Sequence, residues 1–244
     1  MIMKTLTIIL SFFIFSACLM AAHAQSVYTL YTSAGEFDSG VLNQGWWGDF
    51  GGNNTYNDNY SISLSWTADS YPYPQGIIIR DFFTFDLSAI SGTIQSATLL
   101  LTRGNSGSPN PTEMISFWDV QTPTAVLNNN TGPDASIVND LGSGNNFGSF
   151  LVSMVGPTSQ VLAFNLNASA IAALNADKGS DFSIGGSMEG QPASGVYRYI
   201  FGVTQGIPAE LQLTVVPEPT ASDFIVLTVI CIWMIRSRRY AQVA

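Results

Sequence analysis

Over most of the chain, apolar and polar residues alternate one by one, the period of a strand with one buried face. The clearest case is residues 60–66, where Ile62, Leu64 and Trp66 fall on one side and Ser61, Ser63 and Ser65 on the other. Residues 27–32 alternate and are β-branched or aromatic. Residues 76–87 make a longer strand with Ile77, Ile79, Phe83, Phe85 and Leu87 on one face; residues 94–102 follow with Ala97, Leu99 and Leu101 inward. The same signal marks 114–120, 151–155, 161–166, 182–186, 196–203 and 210–215. Connections rich in Gly, Asn, Ser and Pro, as at 105–111 and 128–133, supply the turns. One segment has helical spacing: Asn167 or Ser169 can cap it, Ile171, Ala172 and Leu174 fill it, and Gly179 can end it. Many short strands with one short helix predict an all-β fold, a jelly-roll-like β-sandwich over residues 25–215.

Two stretches replace alternation with continuous apolar runs. Near the N-terminus, Lys4 precedes an apolar run at 6–15, and Ala22-His23-Ala24 has the small-x-small form of a signal-peptidase site. This predicts a signal peptide over 1–24, cleaved by signal peptidase between Ala24 and Gln25. Ser16-Ala17-Cys18 is the rival, a lipoprotein box, but Phe15 stands where a small aliphatic residue is preferred. Near the C-terminus, Val216-Pro217-Glu218-Pro219 precedes an apolar run at 224–235 and then Arg236, Arg238 and Arg239. Two prolines around one glutamate cannot join a helix or a central strand, so they hold an extended, exposed hinge. The apolar run can enter a bilayer as a helix, with Asp223 towards the outer interface, and the arginines stay cytoplasmic. This order resembles the PEP-CTERM sorting signal of exported bacterial proteins, here residues 216–240. The resemblance implies an exosortase, a membrane-bound sorting protease, as a partner that recognises Pro217-Glu218-Pro219. It also implies extracellular polysaccharide as the setting. The expected route is export, an inner-membrane anchored precursor held by its C-terminal helix, then the cell surface or extracellular space.

A second, looser resemblance lies inside the domain. Residues 80–88 followed by 94–99 resemble β-sandwich domains of large bacterial surface proteins. Asp140-Leu141-Gly142-Ser143-Gly144, the unit at 166–186, and Ile200-Phe201-Gly202 resemble a recurrent ectodomain of PEP-CTERM proteins, and bring no catalytic residues with them.

Composition narrows the chemistry. Of 244 residues, 17 are Asp or Glu and 8 are Lys or Arg, giving a formal net charge of -9. Between 25 and 215 the only cations are Arg80, Arg103, Lys178 and Arg198, so there is no basic footprint and no nucleic-acid partner is expected. The single His is His23, and the two cysteines are Cys18 and Cys231, all outside 25–215. The exported domain therefore cannot form a disulfide, a Cys/His zinc site, or a Ser-His-Asp or Cys-His nucleophile. No metal or cofactor is expected; Asn57, Asp58 and Asn59 lack a calcium-loop spacing and read as a solvated loop.

Two constellations remain. Trp46, Trp47, Tyr56 and Tyr60 sit among asparagines, a composition that can stack on sugar rings, and Gly45 and Gly48 suggest a loop that exposes at least one Trp. Asp81 falls on the apolar face of its strand, where it needs a β-bulge or a partner such as Arg80 or Arg198. Asp86, Glu113 and Asp119 could join it in glycoside cleavage. The favoured expectation is non-enzymatic, a sorted surface or matrix protein with a structural or interaction role. The alternatives are a carbohydrate-binding module-like protein retaining exopolysaccharide, and a carboxylate-based glycoside hydrolase or lyase.

Overall fold

The computed structural model describes residues 25–32, 43–49, 59–65, 76–129, 133–191 and 195–218. Ala22, Ala24, Tyr56, Trp66, Pro219, the apolar run at 224–235, Arg236, Arg238 and Arg239 lie outside the described residues. The chain divides into two compact units. One holds residues 27–90 and 94–214; of the other, 25–26, 91–93 and 215–218 are described.

The described residues form twelve strands and three short helices. In chain order these are β1 (Ser26–Tyr31), β2 (Gln44–Gly48), β3 (Ile62–Ser65), β4 (Ile77–Asp86), β5 (Thr93–Thr102), β6 (Asn105–Gly107), β7 (Thr112–Asp119), α1 (Thr124–Leu127) and α2 (Ala135–Asp140). Then follow β8 (Asn146–Ser153), β9 (Val161–Asn165), α3 (Ala168–Ala176), β10 (Asp181–Met188), β11 (Tyr197–Gly202) and β12 (Glu210–Val216). A four-stranded sheet runs β1-β12-β5-β9, and an eight-stranded sheet runs β6-β11-β3-β4-β10-β7-β8 with β2 also on β4. The β5–β9, β4–β10 and β7–β10 ladders are antiparallel, as are those joining β2 and β3 to β4.

Strand β4 organises the larger sheet. Ile79 pairs with Gly48 of β2 and Ser63 of β3, so those strands flank β4 from opposite sides. Residues 81–83 pair with both β2 and β10, which also lie on opposite sides. Strands β3 and β10 therefore succeed one another along a single edge of β4, and Asp81 sits where one gives way to the other.

Aromatic rings join the sheets. Phe164 of β9 meets Phe117 of β7 at 5.0 Å and Phe150 of β8 at 5.2 Å between ring centroids, both edge to face. Burying each such ring contributes about 1.5–3 kcal/mol. A second apolar cluster joins Phe82 of β4 to Trp47 of β2 and to Leu127, Ile137, Val138 and Leu141 in and after α1 and α2. Consecutive Phe82 and Phe83 are thus both fully buried, each among different neighbours.

The one-helix expectation is corrected to three helical segments among the described residues. Helix α3 is the expected one: the Asn167 side chain accepts from the Ser169 and Ala170 N–H groups, as an N-cap should. Helix α2 is capped in the same way by Asp134, but six residues are too few to show a helical period. Helix α1 is a single turn with no side-chain cap. Residues 105–107, inside a stretch expected to be a turn, pair with β11 instead.

Candidate functional site

The described part of the tail starts from β12. Leu211, Leu213 and Val215 are buried in alternation, and the strand lies between β1 and β5. Pro217 has no N–H to continue a ladder, and Pro217 and Glu218 are exposed directly beyond Val216. Gly92, at φ +97°, faces this exit. A Cβ there would stand 2.5 Å from the Val216 carbonyl oxygen and 3.1 Å from the Pro217 Cα. Only glycine permits both that backbone angle and that approach. The prolyl motif thus follows an inner strand with no linker between them.

The aromatic candidates are placed differently. Gly45 and Gly48 belong to a strand rather than a loop, with Trp46 opposite Asp81 and Trp47 opposite Arg80. Trp47 is 1% exposed, packs in the second apolar cluster and donates its indole N–H to the Leu127 carbonyl at 3.0 Å. Trp46 is half-buried. Tyr60 is buried edge to face on Phe83 at 5.1 Å, and its hydroxyl accepts from the Thr102 N–H at 2.9 Å. Burial pushes that phenol up to about 12, against the pull of Thr102 and with help from Asp81. The faces of Trp47 and Tyr60 are occupied by protein and have no room for a sugar. The strand QGWWG hides this in the sequence, because its polar and apolar residues do not alternate.

The charged candidates separate into three environments. Arg80 donates to the Val138 carbonyl at 2.6 Å and the Asn139 carbonyl at 3.2 Å, both in the last turn of α2, where the Asn139 carbonyl also accepts from the Gly142 N–H at 3.2 Å. Arg198 grips Glu113: its Nε donates to Oε1 at 2.8 Å and its Nη2 to Oε2. Ser108 Oγ and Asn110 Nδ2 donate to the same Oε1, the latter at 2.9 Å. Burial pushes the Glu113 carboxyl up, but the hydrogen bonds from Arg198, Ser108 and Asn110 outweigh it and hold the group below its ordinary value. The same bond holds the Arg198 guanidinium above its own. Glu113 and Arg198 lie 85 positions apart, beyond any sequence-local signal.

Asp81 is the third case, and both expected partners are absent from it. It is 0% exposed, stays in register opposite Gly186, and neither carboxyl oxygen meets a partner from another residue. A Cβ on Gly186 would stand 2.0 Å from Asp81 Oδ1, so the glycine makes the space that the carboxyl fills. Burial pushes the Asp81 carboxyl well above the ordinary range, and its own N–H offsets little of that.

The other candidate acids have hydrogen-bond partners of their own. Glu113 is committed to Arg198. Asp119 accepts from the Gln121 amide at 2.9 Å, and Asp86 accepts from the Ser88 N–H and hydroxyl. Asp86 stands opposite Asp181 on β10, whose carboxyl is raised by burial and then by Asp86. Among the described residues no three or more His, Cys, Asp or Glu side chains are placed to hold a metal ion. No helix among them is long and apolar enough to cross a membrane. No family model matches this chain, and no curated protein matches it.

Proposed function

We propose that this chain is an exported surface or matrix protein, sorted through residues 216–240, whose jelly-roll-like β-sandwich has a structural or interaction role and no catalytic one. The observation that carries the reading is the exit of β12. The prolyl motif begins directly after the buried Val215, and Pro217 and Glu218 are in solvent. A protease that reads an extended segment needs such a site outside the ladder, since backbone groups held in a sheet cannot pair with an enzyme.

The buried charges support the non-enzymatic half of the reading. A working general acid or base needs reach to a substrate proton. Asp81 is sealed between strands, and Glu113 is neutralised by a cation that it cannot release without leaving a buried charge. The absence of His and Cys from 25–215 removes the usual activating side chains.

Replacing Pro217-Glu218-Pro219 by three alanines tests the reading in a host with an exosortase. The expected result is an unprocessed precursor retained in the membrane fraction, with the folded domain unchanged in circular dichroism. Maturation at the wild-type rate would overturn the sorting reading and leave a plain anchor.

A further inference from the structure

Among the described residues, strands β1 and β9 are the two edges of the four-stranded sheet, and each pairs with one neighbour. An edge strand presents a row of unpaired N–H and C=O groups, complementary to any other such row. Native edges are usually blunted by charge, proline, a bulge or short length. In the eight-stranded sheet β6 has three residues, and the β7–β8 ladder is broken by an irregularity between Phe117 and Trp118.

Strands β1 and β9 are longer than β6, at six and five residues. Their sequences, SVYTLY and VLAFN, hold no charge and no proline. The β5–β9 register runs unbroken from Thr98↔Asn165 to Thr102↔Val161. Most outward residues are apolar or small: Val27 is 69% exposed, Tyr31 49% and Val161 59%, with Thr29 and Ala163 between them also in solvent, while the outward Asn165 accepts a hydrogen bond from Thr98.

Charge selects the occupant. Copies with a formal charge of -9 repel one another at most approaches. Glu210 is the one charged side chain in the strands of this sheet. Two copies can therefore meet here with the least repulsion, and the two edges have the same chemistry. From these observations we infer that β1 of one copy pairs with β9 of the next, continuing the four-stranded sheet from molecule to molecule. Because the contact joins two different edges, it does not close as a dimer and it propagates. This inference rests on the sheet edges and stands whether or not the tail is a sorting signal.

The cysteine count makes the test clean. In the full chain in detergent, with Cys18→Ser and Cys231→Ser as background, Thr29→Cys and Ala163→Cys are introduced singly and together, then oxidised. Within one molecule these positions are three strand spacings apart, about 14 Å, beyond disulfide reach. The expected result is a ladder of covalent oligomers from the double variant, a dimer from a mixture of the two single variants, and monomer from either alone. Adding Val161→Lys to the double variant should cut the ladder at least tenfold. Adding Val155→Lys, at a position 79% exposed outside both strands, should leave it intact. Monomer throughout, dimers from a single variant alone, or equal loss with both lysines would each overturn the inference. Unchanged circular dichroism in every variant ensures that a lost ladder reports the contact.

Discussion

The four-stranded sheet carries one charged side chain in its strands, Glu210; the eight-stranded sheet carries Arg80, Asp81, Asp86, Glu113, Asp119, Asp181 and Arg198. The first buries aliphatic residues in strict alternation: Ala97, Leu99 and Leu101 on β5, then Leu211, Leu213 and Val215 on β12. The second buries both faces of β4 over residues 81–85, with Trp47 and the α1–α2 segment on one of them. A sheet covered on one side needs only the period of two. A sheet covered on both sides must also house whatever polar groups its central strands carry, and each one then needs its own arrangement.

The largest expected break in this contrast is Trp47→Ala. It leaves a cavity between β4 and the α1–α2 segment and frees the Leu127 carbonyl, so it should cost about 3–5 kcal/mol in urea unfolding. A loss under about 1 kcal/mol would mean that the second cluster contributes little. As the matching probe on the other sheet, Thr98→Val removes a hydrogen bond to Asn165 on an exposed face and should stay within about 0.5 kcal/mol of wild type.

Glu113→Ala comes next. It strands Arg198, whose side chain is 13% exposed, and should cost about 3 kcal/mol. Glu113→Ala combined with Arg198→Met should recover a good part of that loss, because the stranded charge goes with it. No recovery would show that the polar shell of Ser108 and Asn110 matters more than the charge. The pH dependence has a definite sign. The Glu113 carboxyl is depressed in the fold, so its contribution is present above the unfolded value and is lost as pH falls through the folded one.

Asp81 has the opposite sign and a smaller reach. Its carboxyl is raised in the fold, so the folded chain binds the extra proton and stability falls as pH rises above the ordinary carboxyl range. The slope is at most about 1.4 kcal/mol per pH unit, until the folded group itself ionises. Asp81→Asn should abolish this decline and raise the melting temperature at alkaline pH with little change at pH 4. Equal melting temperatures across that range would show that Asp81 is ionised and solvated in the fold.

How far the sequence could be read follows from the same contrast. Residues 94–102 and 210–215 were legible because a half-buried strand writes its burial directly into alternation. The cap of α3 was legible because Asn167 acts on the N–H groups two and three residues on. By contrast, β2 was not legible. Its neighbours in the second cluster come from residues 82 and 127–141, so the cause of Trp47 burial is remote from QGWWG. Asp81 was correctly placed on the apolar face of β4, yet the partners expected for it were taken by α2 and by Glu113.

The sequence by itself determined the all-β class, the position of most strands, the one-sided core of the smaller sheet and the lack of His and Cys between 25 and 215. These depend on composition and on local periodicity, which every residue carries with it. Only the tertiary structure decided that Trp47 and Tyr60 are core, that Arg198 belongs to Glu113 and that, among the described residues, Asp81 has no partner and β1 and β9 are the edges of one sheet. Those facts are set by which strands become neighbours, and strand order comes from contacts between residues far apart in the chain.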